Sequence, residues 1–241
     1  MCSLSLIRPA SGILRIVMHR DEADTRPDSL PPVLRSCGSM PAIVTVDAHA
    51  GGAWIGANAA GLVVGLLNHT ASSAPHQDPG LSRGMVVPAL LAATDPHAAE
   101  TQLTKLPLDQ FAPFTVVVAT TATDWAMRWD GCELRRLPDS PVRCSSGLGD
   151  DLVDEPRRQA WTALVGTQTT AAGQDAWHAS RIGSDPAAWV LMRRPGARTV
   201  SRTLVEVGGA EVTLSESLLK ADGQVSRYST RRLCRSPEFF S

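Results

Sequence analysis

Cys2 directly follows the initiator methionine, and a charged segment, His-Arg-Asp-Glu at residues 19–22, follows the second of two short apolar runs. Removal of Met1 would leave a free α-amino group on the residue that carries the thiol. An α-amine has a reference pKa of about 7.7–8.0, so it can accept the thiol proton near neutral pH. Cys2 would then supply both a nucleophile and a general base.

Three other residues suit an acyl-transfer reaction at this thiol. The carboxylate of Asp21 can orient the α-amine, and the guanidinium of Arg20 can hold the thiolate or an anionic group of a substrate. Acyl transfer also needs hydrogen-bond donors for a developing oxyanion. Asn68 stands at the end of an apolar run and can supply such a donor together with a neighbouring backbone N–H. We therefore predict catalytic roles for Cys2, Arg20, Asp21 and Asn68.

Each of these residues also has an ordinary structural interpretation. Cys2 can be a small residue of an edge strand, and residues 19–22 can form a solvated turn. Asn68 can cap the end of a strand, and Trp54 can belong to the core or to a cleft wall. The hypothesis of a catalytic site therefore depends on whether these residues meet in one place.

The elements that position them begin with a hairpin. Residues 3–7 and 13–18 are apolar runs separated by a turn that contains Pro and Gly. Pairing across that turn predicts that Cys2 lies opposite Met18 or His19. The thiol and the charged segment are therefore expected to share one site.

The remaining pattern predicts an α+β fold with mainly antiparallel sheet. Residues 23–41 are polar and proline-rich, which indicates a long loop. An Asn-x-x-Gly turn at 58–61 is predicted to join two strands. Ser82 is predicted to cap a helix that ends near residue 93, and Asp95 to cap a second helix that ends near residue 106. Further strands are predicted at 114–120, 124–129, 132–137, 141–145, 188–193, 198–207, 210–215 and 224–230, and helices at 150–165 and 174–182. We expect one domain over residues 1–241, with two sheets stacked between helical layers.

Composition excludes several classes of function. The 23 basic and 24 acidic residues nearly balance, and no basic stripe indicates a nucleic-acid partner. No apolar run approaches the roughly 20 residues that span a bilayer, and no secretory signal is evident. The 5 cysteines are scattered and lack metal-ligand spacing, which is typical of free thiols in a reducing compartment. We expect a soluble, cytoplasmic protein that requires no metal or cofactor.

Several motifs together resemble the NRDE family, whose eukaryotic members are called transport and Golgi organisation proteins. They are the opening Met-Cys, the charged segment at 19–22, Arg26-Pro27, and the Gly- and Trp-containing block at 51–61. Shorter similar blocks lie at 67–68, 82–84, 145–147, 192–194 and 197–201. His19 and Ser146 stand where the family pattern has asparagine.

This resemblance implies a relation to the N-terminal nucleophile hydrolases of the choloylglycine hydrolase and penicillin V acylase type. The implied fold is a four-layer αββα sandwich with two mainly antiparallel sheets. The implied nucleophile is the N-terminal cysteine, here Cys2, with Arg20, Asp21 and Asn68 in the roles given above. The matching positions His19, Glu22, Trp54 and Ser146 are predicted to contribute to binding.

Three functions remain open on these grounds. The first is an amide or thioester hydrolase, or an acyl transferase, that acts on a small molecule through Cys2. The second is a carrier of haem or of a lipid-like ligand without turnover, for which His19, His49 or His69 could be an axial ligand. The third is an interaction protein with a vestigial site. The sequence leaves the oligomeric state open.

Overall fold

The computed structural model of the chain describes residues 2–70 and 80–236. Its strands are β1 (Cys2–Ile7), β2 (Leu14–Ala23), β3 (Leu30–Cys37), β4 (Met40–Val46), β5 (Ile55–Asn58), β6 (Val63–Asn68), β7 (Phe114–Ala119), β8 (Asp124–Trp129), β9 (Leu134–Arg136), β10 (Val142–Ser145), β11 (Arg193–Arg194), β12 (Ala197–Val207), β13 (Glu211–Leu219) and β14 (Val225–Cys234). Its α-helices are α1 (Val86–Leu90), α2 (Pro96–Leu103), α3 (Asp151–Leu164) and α4 (Ala171–His178).

The strands form two antiparallel sheets. The first sheet has the order β10-β1-β2-β12-β13-β14, with β11 paired to β12. The second sheet runs from β3 to β9 in chain order, so each strand pairs with its neighbour in sequence. The first sheet therefore combines strands from the start and the end of the sequence, and its inner strands β1 and β2 carry Cys2, Arg20 and Asp21 of the predicted site. Asn68 lies on β6 of the second sheet.

Apolar residues between and outside the sheets define four layers. Leu4, Ile16 and Met18 of the first sheet pack against Ile55 and Leu67 of the second. Helices α1 and α2 cover the outer face of the second sheet, and α3 and α4 cover that of the first. The predicted αββα sandwich is confirmed. Because both faces of β1 are covered, all of its residues are buried, although Ser3 and Ser5 alternate with apolar residues along the strand.

The register of the first hairpin differs from the prediction. Cys2 pairs with Arg20 rather than with Met18 or His19, and the strands meet at the pair Ile7 and Arg15. The connecting loop is longer than a tight turn, so the paired positions move further along β2. This shift decides which residues share the face of the thiol.

The proposed loop at 23–41 is wrong over most of its length, because β3 and the start of β4 lie there. Strand β3 is an edge strand with Pro31 and Pro32 where its register is irregular. Proline is tolerated on an edge strand because no ladder hydrogen bond is lost on the open side. Most residues of β3 are exposed, so its sequence lacks the apolar pattern of a strand.

The helix predictions are partly correct. Asp95 caps α2 by accepting a hydrogen bond from the N–H of Ala98, as its sequence indicates. Ser82 caps a short 3-10 turn, and α1 then ends at Leu90 instead of near residue 93. Helix α4 starts at Ala171 rather than at 174, and only Arg193–Arg194 form a strand near 188–193. Within the described residues, no helix is long and apolar enough to cross a membrane.

Candidate active site

Cys2 begins β1 in the middle of the first sheet, between Ser145 of β10 and Arg20 of β2. Its backbone N donates a hydrogen bond to Ser145 Oγ at 3.1 Å. The side chain is only 6% exposed, and it lines a narrow cleft of about 150 Å³ between the ends of the two sheets. The other residues of the cleft include Arg20, Asp21, Glu22, Arg26, Asp47, Trp54, Asn68 and Arg83.

The groups around the Cys2 thiol have opposite effects on its pKa. Burial raises the pKa of Cys2, and the carboxylate of Asp21 adds to this effect. The positive charge of the chain terminus and the guanidinium of Arg20 lower the same pKa. The net shift is upward, so the thiol is protonated at neutral pH and needs a base before it can act as a nucleophile.

Arg20 is held by a group of charged and aromatic side chains. Its Nη2 lies 3.4 Å from Glu22 Oε2 and 3.3 Å from Asp47 Oδ2. Its guanidinium also lies 5.2 Å from the centre of the Trp54 ring, within the range of a cation–π contact. Arg26 Nη2 donates to the same Asp47 oxygen at 2.7 Å. Arg20 is therefore fixed beside the thiol with its charge compensated.

Asp47 is a site residue that the sequence reasoning missed. It follows β4, and its carboxylate accepts hydrogen bonds from the backbone N–H groups of His49 and Ala50. Burial alone would raise its pKa, but these donors and Arg26 together hold the pKa below its usual range. The only sequence signal is the Asp-x-His-Ala-Gly turn just before the block at 51–61, because the pairing to Arg20 is a tertiary contact.

Asp21 lines the cleft, and its carboxylate is held from the other side of the sheet. Thr199 Oγ1 donates a hydrogen bond to Asp21 Oδ1 at 2.6 Å, and Arg157 Nη2 lies 3.7 Å from Oδ2. Burial raises the pKa of Asp21, while Arg157, the chain terminus and Thr199 lower it. Asp21 is therefore anchored between β12 and α3 at a fixed position next to Cys2.

Asn68 ends β6 and lines the cleft on the second sheet, facing the end of the first. Its side chain is exposed, and within residues 2–70 and 80–236 its amide makes no hydrogen bond. Asn58, by contrast, is buried and uses its amide for four bonds to backbone groups. The structure thus separates a structural asparagine from one whose donor faces open space.

The four predicted binding residues are placed in different surroundings. Glu22 and Trp54 line the cleft, where Glu22 contacts Arg20 and the Trp54 Nε1–H lies 3.4 Å from Thr203 Oγ1. Ser146 is buried, and its backbone N donates to Asp150 Oδ1 at 2.9 Å. It does not line the cleft, and its neighbour Ser145 makes the contact with Cys2 instead.

His19 lies on the opposite face of the first sheet from Cys2, which corrects its placement in the cleft wall. Its Nδ1 is 3.2 Å from the carbonyl oxygen of Val190, and its ring meets the edge of His178 at a centroid distance of 4.4 Å. Burial lowers the pKa of His19 to about 3, so the ring is neutral at physiological pH. Cys2 pairs with Arg20 whereas His19 pairs with Ser3, and neighbouring residues of a strand face opposite sides of the sheet.

The other histidines considered as haem ligands, His49 and His69, do not line the cleft. His49 is exposed in the loop after Asp47, and His69 Nδ1 lies 2.5 Å from Asp150 Oδ2. Among the described residues, no group of three His, Cys, Asp or Glu side chains is arranged to hold a metal ion.

A second cavity of about 550 Å³ opens beside the cleft and shares several of its residues. Asp21, Glu22, Asn68 and Arg83 line both spaces, and the wider cavity continues to Gly147–Leu148 and 194–197. Arg83 is held close to the cleft because the backbone of its neighbour Gly84 packs against the backbone of the loop that contains Gly52. A Cβ on Gly84 would lie 2.7 Å from the Cα of Gly52, so only glycine permits this approach.

Comparison with known proteins identifies the family. The profile of the family described as Transport and Golgi organisation 2 matches residues 4–138, more than half of the chain. The chain belongs to this family. The match stops before β10, α3 and α4, which supply Ser145 and Arg157 to the site. No curated protein matches the sequence significantly.

Solved structures of N-terminal nucleophile hydrolases share the fold of this family member. Penicillin V acylase from Agrobacterium tumefaciens is 16% identical with a TM-score of 0.53, covering 88% of this chain and 82% of that one. A mutant of the conjugated bile acid hydrolase from Clostridium perfringens is 9% identical with a TM-score of 0.59, covering 96% and 92%. The Caenorhabditis elegans orthologue of N-acylethanolamine-hydrolyzing acid amidase is 14% identical with a TM-score of 0.57, covering 85% and 92%. At these identities the likeness demonstrates the fold alone.

Proposed function

We propose that this family member is a cysteine-dependent N-terminal nucleophile enzyme that hydrolyses an amide or thioester of a small molecule, or transfers its acyl group. The observation that carries the proposal is the position of Cys2. Its thiol lines a cleft together with Arg20, Asp21 and the free amide of Asn68, although these residues come from separate parts of the sequence. The known activities of proteins with the same fold are consistent with this chemistry.

In the proposed reaction, removal of Met1 exposes the α-amine of Cys2. The amine takes the thiol proton, and the thiolate forms a bond to the acyl carbon while the carbonyl electron pair moves to oxygen. When the tetrahedral intermediate collapses, the bond to the leaving nitrogen or sulfur breaks and the leaving group takes the proton from the ammonium. Water, or an acceptor molecule, then attacks the Cys2 thioester with the amine again as base.

The neighbouring residues fit separate parts of this reaction. Ser145 Oγ accepts a hydrogen bond from the Cys2 nitrogen, which orients the nitrogen lone pair after Met1 is removed. Arg20 favours the thiolate over the thiol, because its positive charge lowers the pKa of Cys2. The Asn68 amide has no hydrogen-bond partner among the described residues, so it can donate to the oxyanion without first breaking a bond within that part of the chain.

The test is the formation of an acyl-enzyme. The mature protein is treated with para-nitrophenyl acetate, and intact mass and peptide mapping locate any acetyl group. We expect one acetyl group at Cys2 of a chain that lacks Met1, with a burst of one equivalent of para-nitrophenolate.

Matched variants separate this result from general thiol reactivity. Cys2→Ser should remove the burst, and Cys132→Ser should retain it because Cys132 is exposed and does not line the cleft. Retention of Met1 in the mature chain, or acetylation confined to other cysteines, would exclude the proposed mechanism. Such a result leaves an interaction protein with a vestigial site as the interpretation.

A second candidate function is carriage of haem or a lipid-like ligand. It is favoured by a third cavity of about 690 Å³ with apolar wall residues that include Trp189, Leu191 and Met192. Titration with haem, followed in the Soret band, and with a fluorescent fatty acid should show one-to-one binding that Cys2→Ser retains. Flat titrations with both ligands would remove this candidate.

A further inference from the structure

The charged side chains around the thiol fall into two sets: those that form ion pairs with one another and those that do not. Three carboxylates each contact a guanidinium: Glu22 and Asp47 contact Arg20 and Arg26, and Asp21 contacts Arg157. Three acidic and three basic residues therefore compensate one another. The cavity of about 550 Å³ beside Cys2 is lined by two more arginines, Arg83 and Arg194, which do not belong to this group.

Arg83 has no acidic partner among the residues that the structure describes. Its Nη1 donates to the carbonyl oxygen of Pro113 at 3.1 Å, and no carboxylate of residues 2–70 or 80–236 lies within 4.0 Å of it. The side chain is half-buried and lines both the cleft of Cys2 and the wider cavity. Burial lowers the pKa of Arg83, and the nearby Cys2 side chain opposes this shift. A guanidinium nevertheless stays charged in proteins, so its positive charge faces the cavity uncompensated.

Arg194 lies across the same cavity, in β11 next to the turn at 195–196. It is half-buried, and its guanidinium makes neither a hydrogen bond nor an ion pair to any residue that the structure describes. Its neighbour Arg198 shows the contrast, since Arg198 donates to the Leu219 carbonyl oxygen and contacts Asp24 at 3.2 Å. Two guanidiniums that make no ion pair within the described residues therefore line one cavity that also contains the Asn68 amide. The carboxylate of Asp21 lines the same cavity, and the charge of Arg194 lowers its pKa, but Asp21 is already in contact with Arg157.

We infer that this cavity binds a carboxylate of the substrate, with Arg83 and Arg194 as the residues that recognise it. The inference rests on the proposed function, because it assigns the substrate class of the Cys2 reaction: amides or thioesters that carry a carboxylate near the scissile bond. Guanidinium forks match the geometry of a carboxylate, and two cations that make no ion pair within the described residues favour an anion over a neutral group. Arg83 also lines the cleft of Cys2, so a carboxylate bound there lies next to the reacting bond.

The test compares two reagents of nearly equal size, iodoacetate and iodoacetamide, which differ in charge. With either reagent the Cys2 thiolate attacks the methylene carbon, a sulfur–carbon bond forms, iodide leaves and the thiol proton passes to solvent. Alkylation at Cys2 and at exposed Cys132 is measured in the same sample by peptide mass spectrometry at low salt. At each cysteine, the rate of alkylation by iodoacetate is divided by the rate of alkylation by iodoacetamide. The value for Cys2 is then divided by the value for Cys132, which removes the intrinsic difference in reactivity between the two reagents.

We expect this normalised ratio to be well above one in the unmodified protein. Arg83→Gln and Arg194→Gln should each lower it about fivefold, as loss of a partly buried charge interaction predicts. Arg83→Lys should retain most of the preference because the charge remains. Arg158→Gln is the matched control, since Arg158 lies on the exposed side of α3 and pairs with Asp154. Higher ionic strength should reduce the preference.

Two negative outcomes have different meanings. If Cys2 reacts with iodoacetamide but the normalised ratio is the same in Arg83→Gln, Arg194→Gln and Arg158→Gln, the carboxylate site is overturned and the proposed nucleophile remains. If neither reagent alkylates Cys2 while Cys132 reacts, the proposed function fails, and this inference fails with it.

Discussion

Alternate residues of β1 and β2 project to opposite faces of the first sheet, and the two faces carry different polar groups. On the cleft face, Cys2 and Arg20 lie next to open space, and partners such as Glu22 and Asp47 are themselves partly accessible. On the opposite face, a buried polar layer lies under α3 and α4. Its members are Ser3, Ser5, His19, Arg157, Gln174 and His178.

The side chains of the buried polar layer are linked by several hydrogen bonds. Arg157 donates to Ser3 Oγ at 2.6 Å and to the Ala188 carbonyl oxygen at 3.2 Å, and His178 Nε2 lies 2.7 Å from Ser5 Oγ. Gln174 Nε2 also donates to Ser5 Oγ at 2.8 Å. This layer fixes the sheet and Asp21 from behind, whereas the cleft face keeps donors and charges available for a ligand. The two opposite faces of one hairpin thus differ, since one is bonded internally and the other carries the residues of the proposed reaction.

The largest expected difference is between Arg157 and Arg20, which are both buried but lie on opposite faces of the sheet. Arg157→Met should lower the free energy of unfolding by about 4 kcal/mol, because it leaves Asp21 and Ser3 without their buried partner. Arg20→Met should cost about 1 kcal/mol, since Glu22 and Asp47 keep their contacts with Arg26. Urea unfolding monitored by circular dichroism measures both values. Equal losses would remove the distinction between the two faces.

The next comparison uses two asparagines. Asn68→Ala should slow acylation of Cys2 about a hundredfold, as expected for loss of an oxyanion donor, with little change in stability. Asn58→Ala should instead destabilise the fold by about 3 kcal/mol, because it leaves four backbone groups without their partner. Burst kinetics measure the acylation rate of both variants, and urea unfolding measures their stability. A stable Asn68→Ala protein with an unchanged burst would show that Asn68 is not the oxyanion donor.

The buried histidines predict sensitivity to acid. The pKa of His19 is about 3 in the folded protein and that of His178 is also well below 6.5, so the unfolded chain binds these protons first. Stability is therefore complete above about pH 6.5 and falls as the pH decreases towards 3. Over the first pH unit below 6.5, each histidine should cost about 1 kcal/mol. Urea unfolding at several pH values should show a shallower dependence for His19→Asn, and an unchanged dependence would argue against this origin.

The smallest expected effect lies at the start of β1. Ser145→Ala removes the acceptor for the Cys2 nitrogen and should slow acylation about fivefold, the effect of one ordinary hydrogen bond. Ser140→Ala is the control, because Ser140 is bonded only to the backbone of Val142 in the preceding loop. A Ser145→Ala rate equal to that of Ser140→Ala would mean that the amine needs no such orientation.

Much of the fold follows from local sequence. The strands β7 to β10, the cap of α2 by Asp95 and the long helix α3 depend on nearby residues, and their predictions are confirmed. Strand β3 escaped prediction because an exposed edge strand with two prolines has no apolar alternation. Its pairing with β4 becomes evident only in the complete sheet.

Some features of the site likewise follow from the local sequence, and others depend on the tertiary structure. The sequence by itself determined that Cys2 and residues 19–22 share one hairpin, because pairing across a turn is a local property. Only the tertiary structure decided that Arg20 shares the face of Cys2 while His19 is buried behind it, since a register shift of one residue exchanges the two faces of a strand. It also brought in Asp47, Arg83, Arg157 and Arg194, whose contacts in the site join distant segments of the chain. No periodicity or spacing in the sequence encodes such contacts.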